Sequence, residues 1–223
     1  MASKIQRLVS QARATFRKVG EEPAFSDEMK KLKEVINTLT SEDFNLSPSV
    51  ARKQWNYRPY VVDSPSSCME IYQCPEFSIG IFLIKPHKHM PFHDHPGMYG
   101  VMKVLFSSMT VTSYSKLEGQ ATPTQGIPVR CRFLSQLSLD SKSEPCVLYP
   151  EQGNIHQIQA GEEAVAFIDI LAPPYNPKEG RDCNYYEKME TKEDDKQNIS
   201  LMPGPNPSWF SCVPLSYNGP CPS

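Results

Sequence analysis

Two segments near the N-terminus have apolar residues at the spacing of amphipathic helices. The first stripe comprises Ile5, Leu8, Val9, Ala12 and Phe16. The second comprises Met29, Leu32, Val35, Ile36 and Leu39. Ser3 is placed to cap the first helix and Ser26 the second, whose first turn would then carry Asp27 and Glu28. The pattern therefore predicts that helices precede the rest of the chain.

Beyond the Ser-Pro-Ser-Ser turn at 64–67, the helical spacing gives way to short apolar runs separated by turn residues. These runs predict strands at 77–84, 101–105, 109–114, 129–139, 146–149, 155–158 and 164–171, and a further strand at 183–187. Because no helical periodicity lies between them, we expect antiparallel strands in a sandwich or barrel rather than βαβ units. The predicted fold class is all-β dominated, with N-terminal helices.

The 223 residues are enough for one domain with a single core, to which both ends attach. Prolines after Leu171 cannot donate to a strand ladder, so we expect an extended surface loop there. Prolines recur in the last twenty residues and predict an irregular tail. We divide the chain into a helical segment at 1–50, a β barrel at 51–190 and a Pro-rich tail at 191–223 that packs on the barrel.

Composition and charge exclude several classes of partner. Charged residues make up 22% of the chain and the net charge is −2, which does not suit a binder of nucleic acid. The longest apolar run, at 77–84, is far shorter than the roughly 18 residues that cross a bilayer, so we expect no membrane partner. Seven cysteines without a C-x-x-C pair indicate a reducing compartment.

The first helix is also basic, with no acidic residue before Glu21. Its positive residues are Lys4, Arg7, Arg13, Arg17 and Lys18. Such a segment is either an ordinary helix that docks on the domain of a cytoplasmic protein or a mitochondrial import signal. The sequence leaves both locations open.

Four of the five histidines form two His-x-His pairs, His87 with His89 and His93 with His95. Nearby prolines exclude a continuous helix through them. In an extended chain, residues i and i+2 point to the same side and lie roughly 6.6 Å apart, so two imidazoles can converge on one metal ion. The fifth histidine, His156, follows a turn predicted by Pro150 and Gly153, which can deliver it to the start of a strand.

The segment Pro91-Phe92-His93-Asp94-His95-Pro96-Gly97-Met98, followed by Gly153-x-x-His156, resembles the cupin motif pair of the cysteamine dioxygenase and plant cysteine oxidase family. The resemblance runs from about residue 55 through 169–175 to 180–186. It implies a cupin double-stranded β-helix, or jelly-roll, barrel that binds Fe(II) through His93, His95 and His156. His87 and His89 match no ligand position, and we expect them to be exposed loop residues.

The resemblance also implies a monomeric thiol dioxygenase, which inserts both atoms of O2 into a thiol. Its implied substrates are cysteamine, converted to hypotaurine, and proteins with an N-terminal cysteine, whose oxidation links oxygen supply to their degradation. Many cupins have a further glutamate ligand, but its places here hold Tyr99 and Gly100. Three neutral imidazoles favour an anionic ligand such as a thiolate. They also suit zinc, so a zinc- or manganese-dependent hydrolase or isomerase and a non-catalytic metal-binding cupin remain alternatives.

Three other residues are candidates for the catalytic site. Asp169 lies in an apolar run and needs a partner if it is buried, either in the core or as a group that orients a ligand or holds an ammonium. Asp94 alternates with the histidines, so it should point away from the metal and fix the loop. Cys183 and Tyr185 share a face if extended. In animal members of the family, similar residues form a thioether cross-link.

Overall fold

The computed structural model describes residues 2–51, 64–119, 123–191, 195 and 197–222. Helix α1 spans Lys4–Phe16 and α2 spans Ala24–Asn37, followed by a 3-10 turn at Ser41–Phe44. The Ser3 cap of α1 is confirmed, since its hydroxyl accepts a hydrogen bond from the backbone N–H of Gln6. The Ser26 cap is wrong. Helix α2 begins earlier, directly after Pro23, whose fixed φ already suits the start of a helix.

Strands form most of the remaining described chain. Their bounds are β1 Ser66–Gln73, β2 Ser78–Ile84, β3 His89–His93, β4 Tyr99–Phe106, β5 Ser108–Lys116, β6 Val129–Asp140, β7 Cys146–Leu148, β8 Ile155–Ala160, β9 Val165–Ala172, β10 Tyr185–Met189, β11 Asn198–Gly204 and β12 Cys212–Pro214. A second 3-10 turn lies at Pro177–Glu179. The eight strands expected from the apolar runs are all present, with ends that differ by a few residues.

The strands form two sheets. One has the order β12-β1-β2-β9-β4-β7, and the other closes in the order β10-β11-β6-β5-β8-β3. Paired strands are antiparallel except β1 and β12. Apolar side chains from both sheets pack together between them. The predicted β-dominated fold with N-terminal helices is confirmed.

Strand β9 is buried along its whole length because both of its faces are covered. Ala166, Ile168 and Ile170 belong to the core that α1 and α2 form on the outer face of the first sheet. Phe167 belongs to the core between the two sheets. Burial of both faces explains why the sequence of β9 is an almost continuous apolar run. Side chains alternate along a strand, so Asp169 lies on the same inner face as Phe167.

The apolar stripe of α1 is buried against the sheet, as the docking interpretation expects. No helix in the described ranges has the length and apolar character needed to cross a membrane.

Two strands lie within the stretch that was predicted to be an irregular tail. Strand β11 pairs with both β10 and β6, and β12 extends the other sheet beside β1. The sequence does not indicate β11 because its alternating part, residues 198–201, is short and Pro203 lies inside the strand. Strand β3 was missed for a similar reason, since Pro91 lies inside it.

Candidate metal centre

The three predicted histidines meet at one point between the sheets. His93 ends β3 and lies directly across from His156 on β8, and His95 follows two residues later. The ring centroids of His93 and His156 are 4.3 Å apart, and His95 lies 5.1 Å from each. One nitrogen from each ring lies within 4.8 Å of the others, and all three residues are buried. The geometry is that of a metal site with three imidazole ligands.

Backbone carbonyls fix the protonation of two rings. The Nδ1 atom of His93 lies 2.9 Å from the carbonyl of Pro91, and Nδ1 of His156 lies 2.9 Å from the carbonyl of Asn154. A carbonyl only accepts, so each Nδ1 must carry the proton. Each Nε2 then keeps a lone pair for a metal ion, as ligating histidines require.

The third ring is fixed by a tyrosine that sequence reasoning missed. The Tyr175 hydroxyl donates to the backbone carbonyl of Asp94 at 3.0 Å and lies 2.5 Å from Nδ1 of His95. Because its one proton goes to that carbonyl, the hydroxyl oxygen accepts from Nδ1–H of His95. The Nε2 atom of His95 is buried and has no hydrogen-bond partner in the described chain. A buried Nε2 with a free lone pair is what a metal-binding histidine needs.

Burial keeps the three rings neutral. It lowers the pKa of His93 and moves the pKa values of His95 and His156 well below the usual range. Repulsion among the rings acts in the same direction for His95 and His156. Neutral imidazoles are the ligating form, so at neutral pH a metal has few protons to displace.

Asn154 connects the segment that carries His93 and His95 to the one that carries His156. Its role was not predicted from the sequence. Its Oδ1 accepts from the backbone N–H of His95 at 2.7 Å, and its Nδ2 donates to the carbonyls of Met98 and Tyr149. The turn before it was predicted, and Gly153 has a φ of +69°, which glycine tolerates best. The turn thus places Asn154 and, two residues on, His156.

Asp94 points away from the three rings and anchors the neighbouring strand, as alternation predicts. Its Oδ1 accepts from both the backbone N–H and the side-chain amide of Asn184, at 3.1 and 2.9 Å. Its Oδ2 accepts from the Tyr186 hydroxyl at 2.6 Å and lies 3.6 Å from the Lys116 ammonium. These contacts hold the start of β10 against the loop between His93 and His95.

A cavity of about 150 Å³ opens beside the three rings. Most of its wall is apolar, and Asp169 contributes a carboxylate. Asp169 is 6% exposed, and its Oδ1 has no hydrogen-bond partner among the described residues. Burial raises its pKa to about 7. A carboxylate so placed is costly without a ligand.

Cys183 and Tyr185 line the same cavity. Tyr185 on β10 lies directly across from His93. Burial raises the pKa of Cys183 to about 11, while a hydrogen bond with the Tyr185 hydroxyl acts in the opposite direction. The thiol is therefore protonated at neutral pH and lies beside the Tyr185 hydroxyl. Tyr186 faces the other way, as expected, because its hydroxyl bonds Asp94.

The remaining histidines lie outside this cluster. His87 is exposed in a turn, as predicted. His89 is not a loop residue. It begins β3, is partly buried, and its ring centroid lies 4.7 Å from that of Trp209. The distant tryptophan covers it, which the sequence around His89 does not indicate.

Comparison with known proteins identifies the family. The family model PCO_ADO matches residues 35–221. The chain belongs to this family. It is 36% identical to 2-aminoethanethiol dioxygenase of Mus musculus, covering 99% of this chain and 96% of that one. It is 34% identical to plant cysteine oxidase 1 of Arabidopsis thaliana, covering 76% of this chain and 59% of that one. The family resemblance inferred from the motifs is confirmed.

Among solved structures, the chain is similar to the Schizosaccharomyces pombe Cnp3 cupin domain. The TM-score is 0.35 at 16% identity, and the match covers 50% of this chain and 66% of that one.

We expect Tyr175→Phe to weaken metal binding by about 10–100-fold, the usual effect of removing a partner that orients a ligating histidine. The ring remains, but Nδ1 of His95 loses its acceptor. Competition with a chelator would measure the affinity for zinc, used as a stable probe. Tyr149→Phe is a matched control, because the described hydrogen bonds of Tyr149 use its backbone. Equal affinity in Tyr175→Phe and wild type would contradict this role.

Proposed function

We propose that the chain is a non-haem iron(II) thiol dioxygenase that adds both atoms of O2 to a thiol, R–SH + O2 → R–SO2H. The observation that carries this proposal is the set of three buried, neutral imidazoles whose Nε2 atoms converge beside a cavity. The membership of a family with named dioxygenases supports it.

The proposed ligands are His93, His95 and His156. Bound by these residues, iron(II) would supply the Lewis-acid and redox chemistry that the reaction of a thiol with O2 needs. Among the described residues, the cluster contains no carboxylate ligand. The ion therefore keeps its full charge, which favours a thiolate over a neutral ligand. The protein contributes the fixed imidazoles and apolar walls that exclude water.

The proposed substrates are cysteamine, oxidised to hypotaurine, and proteins with an N-terminal cysteine, oxidised to the sulfinic acid. Both carry an amine two carbons from the thiol. We assign Asp169 to this amine, since it lines the cavity that contains the histidines and its Oδ1 has no hydrogen-bond partner among the described residues. An ammonium there would supply the counter-charge that the described residues do not provide.

The physiological part of the proposal is that oxidation of N-terminal cysteines links oxygen supply to protein degradation. We propose a monomer that acts in the cytoplasm, with mitochondrial import as the alternative raised by the basic α1. Packing of the α1 stripe on the sheet supports the cytoplasmic alternative.

One assay tests the function. The purified protein is loaded with Fe(II) anaerobically, given cysteamine or a Cys-initiated peptide, and exposed to ¹⁸O2. We expect product mass to increase by two labelled oxygen atoms and oxygen uptake to match product formation. Stoichiometric zinc or manganese with hydrolase or isomerase activity and no oxygen uptake would instead favour the alternative enzyme. Metal binding without turnover of any thiol would favour a binding module.

We also predict a thioether between Cys183 and Tyr185. The sulfur and a ring carbon would each lose one hydrogen as the bond forms, with O2 as the oxidant. After aerobic turnover, the intact mass should be about 2 Da lower, and the deficit should map to the peptide containing both residues. Cys183→Ser should show no deficit. A free Cys183 thiol after many turnovers would contradict the prediction.

A further inference from the structure

A row of three residues crosses the first sheet on its inner face. Gly80 on β2 pairs with Glu70 on β1 on one side and with Asp169 on β9 on the other. Paired residues in neighbouring strands point to the same face, so the two carboxylates lie on that face with two strand spacings, roughly 9–10 Å, between their Cα atoms. Gly80 places no side chain between them.

The space above Gly80 belongs to a second chamber of about 240 Å³. This outer chamber shares Phe82, Asp169, Leu171 and Tyr175 with the cavity beside the histidines. The two spaces therefore adjoin at Asp169. The inner cavity of about 150 Å³ has room for a small aminothiol, and the outer chamber adds room for a longer substrate.

The wall of the outer chamber is mostly apolar but includes a polar part that the inner cavity lacks. Glu70, Gln73 and Ser78 line the outer chamber. Glu70 is exposed, and within the described ranges no lysine or arginine forms an ion pair with it. Its negative charge is therefore available to a ligand in the chamber.

We propose that the outer chamber is the subsite for the second residue of a Cys-initiated peptide, and that Glu70 makes it select a lysine or arginine there. The proposal rests on the thiol dioxygenase function proposed above. With the N-terminal amine at Asp169, the next Cα lies about 3.8 Å from that of the cysteine. The four methylene groups of a lysine then span the remaining distance to Glu70. Cysteamine ends before the chamber.

Substitutions that remove or reverse the charge of Glu70 test the selectivity for the second residue of the peptide. The substrates are three peptides, Cys-Xaa-Ala-Ala-Ala, with lysine, glutamine or glutamate as Xaa. For an exposed charge we expect wild type to prefer the lysyl over the glutaminyl peptide by about fivefold in kcat/KM. Glu70→Gln should remove this preference, and Glu70→Lys should favour the glutamyl peptide. An unchanged ranking of the peptides in Glu70→Lys would overturn the proposal.

Filling the chamber tests its location. A Cβ at Gly80 would lie 3.5 Å from the carbonyl oxygen of Met69 and 3.6 Å from Phe82, which are ordinary contacts, and Gly80→Ala should therefore fold. The further atoms of Gly80→Leu would project into the chamber. We expect the KM for the lysyl peptide to rise at least about tenfold in Gly80→Leu and less than about twofold in Gly80→Ala. Equal KM values in both variants would place the second residue elsewhere.

The two proposals can fail separately. Anaerobic calorimetry on the iron-loaded protein ranks the peptides by affinity whether or not they are oxidised. Oxidation of cysteamine by wild type, with the same peptide ranking in wild type and the Glu70 variants, would reject the subsite alone. No oxidation of any thiol would reject the dioxygenase function, and the calorimetric ranking would still decide the subsite.

Discussion

Replacing His156 with alanine is expected to abolish both iron binding and oxygen-dependent thiol oxidation. The substitution removes one of only three proposed ligands, and His93 and His95 cannot hold the ion alone in the geometry that they have. Changing a group that merely orients a ligand costs about 10–100-fold, so losing a ligand should reduce turnover at least about 100-fold. Elemental analysis would show the loss of iron, and an oxygen electrode the loss of uptake.

His87→Asn is the matched control, since His87 is exposed and has a φ of +58°, which asparagine tolerates. It should bind iron and turn over cysteamine like wild type. Near-UV circular dichroism would show whether His156→Ala keeps its packed core. A folded His156→Ala protein with one iron per chain and normal turnover would refute the assignment.

The histidine cluster was predictable because its information is local. The spacing of His93 and His95 places both rings on one face of an extended segment, and a Pro-Gly turn before His156 indicates the start of a strand. The structure bears out the convergence of all three, and the direct pairing of His93 with His156 is its cause.

The groups that orient these rings were not predictable because their contacts are long-range. Tyr175 lies 80 residues from His95, in a Pro-rich stretch that reads as a surface loop. Asn154 joins His95 across 59 residues, and nothing in its local pattern indicates that contact. A hydroxyl or amide gains its role from the group that it meets, and only the folded chain determines that group.

The strands near the chain ends show the same limit. Strand β12 has only three residues, and it pairs with β1, far away in sequence. Such a strand is stabilised by its neighbour rather than by its own alternation. By contrast, β9 was predictable from its apolar run. The acid inside that run was expected to have a partner if buried, but Oδ1 of Asp169 has none among the described residues.

We expect Asp169→Asn to stabilise the metal-free protein above pH 7. The pKa of Asp169 is about 7 in the folded state against 3.8 as a model value, so the folded state holds the proton more tightly. Folding stability therefore falls as pH rises from about 4 to 7, by up to roughly 4 kcal/mol, and stays low above pH 7. Asparagine avoids this cost but leaves an amide unpaired, so the net gain should be roughly 1–3 kcal/mol.

Thermal unfolding at pH 8 and pH 4 measures this gain. The Tm of Asp169→Asn should exceed that of wild type by about 3–10 °C at pH 8, and the difference should disappear toward pH 4. Asp94→Asn is the control with the opposite sign. Asp94 is equally buried, but Asn184 and Tyr186 donate to its carboxylate, so its loss should destabilise the protein at pH 8.

The same substitution should reduce function while it increases stability. If Asp169 holds the ammonium of the substrate, Asp169→Asn should raise the KM for cysteamine at least about tenfold. The KM for an uncharged thiol such as ethanethiol should change little, because only the charged substrate loses a partner. A gain in stability with unchanged selectivity would make Asp169 a core acid without a role in binding. Opposite changes in the two quantities would show that the unpaired carboxylate is kept for its ligand.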